Sequence, residues 1–157
     1  MRILLAKISD DRHALKIIGD GRSERVELET KSLLTHDFLH YAIESLAGLD
    51  GGFWGAIAEG KTLAEMNDRT GEPMKGYALE MRIIEPIVGA MSGVVRGVAP
   101  AMIIAGLDNL FSAQNILRPT WLDVSLIERV QERMRKLLGE WRSTAYGSTM
   151  ELSWPSS

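Results

Sequence analysis

The sequence predicts an α+β fold: a small antiparallel sheet, made of an N-terminal three-stranded meander plus a C-terminal strand, packed with a helical bundle. Three observations carry that prediction. Residues 2–29 hold β-rich runs parted by turns, with clean alternation in Ser23–Glu29, the chain from Thr35 to Arg142 follows the period of helices, and Thr149–Trp154 alternates again. Strands, then helices, then a strand is an α+β order. No linker, low-complexity tract or internal repeat divides the 157 residues, so one domain over 1–157 is expected.

Ile3–Ile8 and Ala14–Ile18 are β-rich runs separated by the turn-prone Ser9-Asp10-Asp11. A second turn, Gly19-Asp20-Gly21-Arg22, leads into Ser23–Glu29, where Val26 and Leu28 face one way and Arg25, Glu27 and Glu29 the other. Thr35 is placed to cap a helix from His36 to Ala47, which Gly48 stops. The loop Leu49-Asp50-Gly51-Gly52 leads to a short helix, Phe53–Glu59, closed by Gly60. Thr62-Leu63-Ala64-Glu65 is a capping box that opens another helix, and Asn67–Pro73 reads as a polar turn. A helix from Met74 to Ile84 meets Pro86, which kinks it or starts a new one. Gly89, Gly93 and Gly97 recur every four residues and would make a flat ridge on a helix, open to close backbone approach. A helix over Ala101–Ala113 follows, and Pro119 breaks the chain again. In the final helix, Val124–Arg142, Ile127, Val130, Met134, Leu137, Leu138 and Trp141 form an apolar stripe, while Glu132 and Lys136 pair at i,i+4. Met150, Leu152 and Trp154 share one face of a closing strand expected at an edge of the N-terminal sheet.

Composition narrows the chemistry. With 45 % hydrophobic and 25 % charged residues the chain has the makings of a packed core rather than a disordered segment. Lys and Arg number 18 against 21 Asp and Glu, a net charge of −3 that argues against nucleic acid as a partner. Zero Cys excludes disulfides, Cys-ligated zinc, iron–sulfur clusters and a Cys nucleophile. The apolar run in MRILLAKISDD is broken by Lys7 and no small-residue cleavage site follows, so a cytoplasmic location is expected. Pro86–Leu107 is the one stretch long enough to raise a membrane span, but Arg96 and Pro100 are costly inside a bilayer; a buried helical pair is expected and no membrane partner. Neither a G-x-S-x-G elbow nor a dinucleotide fingerprint is present.

Gly55-Ala-Ile-Ala-Glu-Gly-Lys-Thr62 matches the P-loop string G-x-x-x-x-G-K-[ST] literally. A P-loop wraps its amides around phosphates after a buried parallel strand, whereas this string follows a Gly-rich loop and carries a helix-prone interior. Helix, Gly C-cap and Thr N-cap is the plainer reading, with nucleotide binding through Gly55–Thr62 a remote alternative.

The segment Thr35-His36-Asp37-Phe38-Leu39-His40-Tyr41-Ala42-Ile43-Glu44 holds two of the three histidines. At helical spacing His36, His40 and Glu44 step along one ridge beside the apolar face of Leu39, Ala42, Ile43 and Leu46. Two His at i,i+4 and a carboxylate supply three ligands for a divalent metal such as zinc, so His36, His40 and Glu44 are the candidate metal ligands. Asp37, Phe53, Trp54, Glu80 and Glu85 are candidates for the surrounding shell or for a small ligand. The metalloprotease helix places Glu, not Asp37, after its first His, so that activity is not supported. A catalytic version would use a His base or a metal-bound water, with Asp37 or Glu44 orienting the ring. The bland reading of the same residues is Asp37 favouring the helix dipole and His40 simply bonding Glu44.

His-Asp-x-x-His-x-x-x-Glu followed by Gly-Phe-Trp-Gly resembles the shared signature of a group of uncharacterised bacterial proteins. The resemblance covers residues 35–60 and carries no activity with it. It implies that His36, Asp37, His40, Glu44, Phe53, Trp54 and Gly55 belong to one recurring unit. Two function classes therefore stand: a polar site binding a metal or small ligand on the His36–Glu44 helix, and a non-enzymatic interaction module. In the second, the glycine ridge and the long final helix build a homo-oligomer.

Overall fold

A computed structural model describes residues 1–19, 21–66, 78–92 and 97–155. Strands β1 (Arg2–Lys7), β2 (Arg12–Gly19) and β3 (Arg22–Glu29) form the N-terminal meander, and β4 (Thr149–Ser153) joins it, giving the order β3-β2-β1-β4. All pairings are antiparallel, with Leu5 opposite both Leu15 and Met150, and Ile3 opposite both Ile17 and Leu152. Period-two alternation puts these six side chains on one buried face, the opposite face staying wet. Burial of such side chains is worth about 1.5–3 kcal/mol each, which fixes the register.

Helix α1 (Thr35–Ala47) and helix α6 (Val124–Ser143) lie on that buried face. Tyr41 of α1 donates its hydroxyl to the carbonyl of Ser153 at 2.9 Å, and Trp141 of α6 meets the His13 ring of β2 edge-on. The stripe of α6 is buried at Ile127, Val130, Met134, Leu137 and Trp141 and partly buried at Leu138; Lys136 reaches Glu132 at 3.5 Å. Asp123 starts this helix by accepting the amide of Leu126 at 2.7 Å. Around the pair run α2 (Phe53–Ala58), α3 (Leu63–Met66), α4 (Ala78–Met91) and α5 (Pro100–Ala113).

Two local expectations change and a third narrows. Thr35 does not cap α1, because Thr30–Leu34 is already a π-helical turn and Leu34 enters α1 in helical geometry. Pro86 does not begin a new helix but lies inside α4, as the other alternative, a kink, requires. The glycine ridge is not one helical surface: Gly89 belongs to α4, whereas Gly97 has φ +79° and turns the chain into α5; Gly93 lies outside the described residues. Asn67–Pro73 and the Met74 start of the next helix also lie outside them. Among the described residues no helix is long and apolar enough to cross a membrane.

Candidate metal centre

Helix α1 sets the site. Its 13 residues carry His36 and His40 one turn apart, their rings 4.6 Å between centroids, and place Asp37 and Glu44 on the neighbouring turns. The helix ends at Gly48 in the left-handed conformation, φ +66°, and the chain doubles back through Gly51 and Gly52 to begin α2 against it. That return delivers the amides of Phe53 and Trp54 to the two oxygens of Glu44, at 2.9 and 2.8 Å. Glu44 therefore caps α2 from another helix, satisfying donors that α2 cannot satisfy itself. The indole Nε1 of buried Trp54 donates to the Asp37 carbonyl at 3.1 Å, and the Phe53 ring tilts over His40 at 5.6 Å.

Glu44 also takes His40 Nδ1 at 2.8 Å, with both side chains buried. A carboxylate on Nδ1 fixes the ring and leaves Nε2 as the free nitrogen. His40 Nε2 is buried and has no hydrogen-bond partner among the described residues; it faces Glu85 Oε1 of α4 at 3.4 Å. His36 repeats the arrangement, with Nδ1 3.6 Å from Asp37 Oδ1 and Nε2 3.9 Å from Glu85 Oε2. Both imidazoles thus have a carboxylate behind Nδ1 and the same Glu85 before Nε2. His36, His40 and Glu85 offer ligand atoms all within 4.8 Å of one another.

The electrostatics follow. Burial alone would lower the His40 pKa, but Glu44 and Glu85 outweigh it and hold the ring above its ordinary value. His36, faced by the carboxylates of Asp37 and then Glu85, is pushed up to about 9. The two imidazoles in turn keep Glu85 far below the usual carboxylate range. A cluster that so favours positive charge between its carboxylates suits a cation, and protons compete for the same nitrogens.

The expected ligand set is rearranged by this geometry. Glu44 contributes no atom to the ligand group, since its oxygens are turned to His40 Nδ1 and the α2 amides; Glu85 takes that place. Asp37, Phe53 and Trp54 surround the centre. Glu80 does not: its carboxylate lies over Gly51, where an added Cβ would stand 2.1 Å from Oε2, beside a cavity of about 220 Å³ lined by Leu49 and Trp121. No sequence signal singles out Glu85 from Glu80, because the contact joins two helices far apart in the chain. His13 is buried, with Nδ1 3.2 Å from Thr30 Oγ1 and with no hydrogen-bond partner for Nε2 among the described residues. Its alternation with Leu15 and Ile17 is the signal that puts it inside.

The Gly55–Thr62 string is the end of α2, a turn and the entry to α3, not a loop extended as a P-loop is. Arg22 of β3 donates to the carbonyls of Ile57, Gly60 and Lys61, closing the end of α2. Gly60 takes φ +117°, and Thr62 and Glu65 form the expected capping box, Thr62 N to Glu65 Oε2 at 2.8 Å and Glu65 N to Thr62 Oγ1 at 3.1 Å. Lys61 pairs with Glu65 at 3.4 Å. What the centre can do is read from this geometry alone, for the chain matches no protein-family model, no curated protein and no solved structure.

Proposed function

We propose that the chain binds one divalent metal ion through His36 Nε2, His40 Nε2 and a carboxylate oxygen of Glu85. The observation that supports it most is the buried Nε2 of His40, which makes no hydrogen bond among the described residues, belongs to a ring locked from behind by Glu44 and faces the two other donors. A buried ring nitrogen without a partner is costly unless something takes it. Two imidazoles and a carboxylate suit zinc, and with one side open also ferrous iron. His36 and Glu85 are 44 and 49 % exposed at their side chains, so the open side faces solvent. There an ion held by three protein groups keeps room for water or a small ligand and supplies Lewis-acid activation. Asp37 and Glu44 are positioning residues, one behind each ring. The interlocking of Glu44 with the Phe53–Trp54 amides supports treating the His-Asp-x-x-His-x-x-x-Glu helix and the Gly-Phe-Trp-Gly turn as one unit.

Calorimetric titration of the chelator-treated protein with zinc, cobalt(II) and manganese(II) tests this. One site per chain is expected, weakened about tenfold or more in His40→Ala and Glu85→Gln. Each ion bound should displace protons from imidazole, visible as a dependence of the heat on the buffer's ionisation enthalpy. Equal affinity in wild type and both variants would refute the site.

Homo-oligomeric assembly is a second reading, supported by the outer face of α5 and the segment after it. Met102 (68 % exposed), Leu110 and Leu117 (93 %) stand in solvent there beside Ala101, Ala105, Gly106 and Ala113. Light scattering across a concentration series decides it; a monomer at high concentration speaks against assembly.

A further inference from the structure

A second cleft lies where α1, the end of α4, the start of α5 and α6 meet. It encloses about 460 Å³, within the range of small-molecule sites. Leu39, Met91 and Met134 lie buried beneath it, and its accessible apolar lining comes from half-buried Val98, Pro100 and Leu138. The mouth is different in character. Gln131, Arg135 and Arg142 rise from α6 on the same face as Leu138, and no acidic side chain among the described residues lines the cleft. Arg135 is shared with Glu132, and Gln131 donates to the Val98 carbonyl at 3.2 Å. Arg142 has no hydrogen bond or ion pair with any described residue. The first turn of α5 also opens here, at Ala99 and Pro100, with no side-chain cap and no acidic residue to meet the positive end of its dipole.

An apolar floor beneath a one-signed cationic rim is complementary to one kind of molecule. We infer that this cleft binds a single-chain amphiphile with an anionic head, its alkyl chain against Val98, Pro100 and Leu138 and its carboxylate on Arg142. The guanidinium fork matches a carboxylate in geometry as well as charge, and an alkyl tail supplies the apolar contact that a bare anion lacks. The site is separate from the metal centre and involves none of its donors.

Octanoate, octan-1-ol and octyltrimethylammonium, titrated into the full chain and followed by amide chemical shifts, test the assignment. Octanoate is expected to saturate one site whose shifts map to α6 and the start of α5. The ammonium should bind at least tenfold more weakly, and Arg142→Glu should weaken octanoate by about tenfold or more, the usual worth of a hydrogen bond to a charged group. Leu138→Trp, a partly exposed position on the wall, should block octanoate and octanol alike while circular dichroism reports an intact fold. Failure of octanoate to saturate at millimolar concentration would overturn the inference. So would equal binding of the ammonium, or binding indifferent to both variants. Persistence of octanoate binding in His40→Ala is expected and keeps the outcome independent of the metal.

Discussion

Glu44 is buried among three donors, His40 Nδ1 and the amides of Phe53 and Trp54, so its carboxylate is the point on which α1, α2 and the His40 ring agree. Glu44→Ala strands all three in a dry environment and is expected to destabilise the fold by about 3–5 kcal/mol. Glu44→Gln keeps one oxygen acceptor and nearly the same volume, so about 1–3 kcal/mol is expected. Urea unfolding measures both, and a Gln variant as damaged as Ala would deny the hydrogen-bonding account. A second residue-scale effect concerns His13. Burial lowers its pKa below 6.5, with the nearby Asp37 charge opposing in part. The folded state therefore holds His13 neutral, and its stability contribution is complete above 6.5 and falls as pH drops below that value, where the unfolded chain takes up the proton first. His13→Phe, which keeps a ring against Trp141, should show a shallower loss of stability on that side of 6.5. The i,i+4 spacing made the His40–Glu44 contact legible in the sequence. It could not show that Glu44 is already saturated, because the other two donors arrive from a loop whose path is set by packing.

At the scale of elements, the return from α1 into α2 depends on glycines with no spare volume. A Cβ at Gly52 would stand 2.3 Å from Glu44 Cδ, and one at Gly55 would stand 2.1 Å from the Asp50 carbonyl oxygen. Gly52→Ala must push the carboxylate off its donors, so a stability loss of about 1–3 kcal/mol and weaker metal binding are expected together. Gly55→Ala meets rigid backbone instead and should cost stability with a smaller effect on affinity per unit of unfolding. Measuring melting and metal affinity on the same samples separates them. The neighbouring string behaves by the same logic: Arg22→Ala releases three carbonyls at the end of α2 and should destabilise by about 1–3 kcal/mol. Lys61→Ala removes one half-exposed ion pair and should change stability by less than about 0.5 kcal/mol. A larger effect at Lys61 than at Arg22 would contradict this assignment. The capping box at Thr62 was readable because its chemistry is local. Gly89, Gly93 and Gly97 misled because spacing alone does not report that Gly97 has a positive φ.

For the whole molecule, β-rich runs parted by turns, the stripe of α6 and the closing Thr149–Ser153 run were enough to read the four strands and the edge place of the last, though not which strand it joins. Which helices approach each other was not, and the site depends on that: its donors come from α1 and from α4, brought together by the shared core of Phe38, Leu39, Ile43, Ile84, Ile87 and Val88. An ion held by His36, His40 and Glu85 would tie these two helices across the chain, and anything that binds only the folded state stabilises it, by about 2.7 kcal/mol at a hundredfold excess over Kd. Protons set the direction with pH. Without an ion, the His36 imidazolium between Asp37 and Glu85 stabilises the fold fully below 6.5, and that contribution is lost as pH rises through about 9. With an ion the trend reverses, because each proton lost from His36 frees a ligand. The stability difference between zinc-loaded and chelator-treated protein should therefore widen as pH rises from 6.5 toward about 9, as read by urea unfolding at fixed free zinc. In His36→Ala the chelator-treated protein should lose its decline with rising pH and the zinc increment should shrink. An increment that stays constant across that range would mean His36 is not displaced from its proton by the ion, and the three-donor centre could not stand.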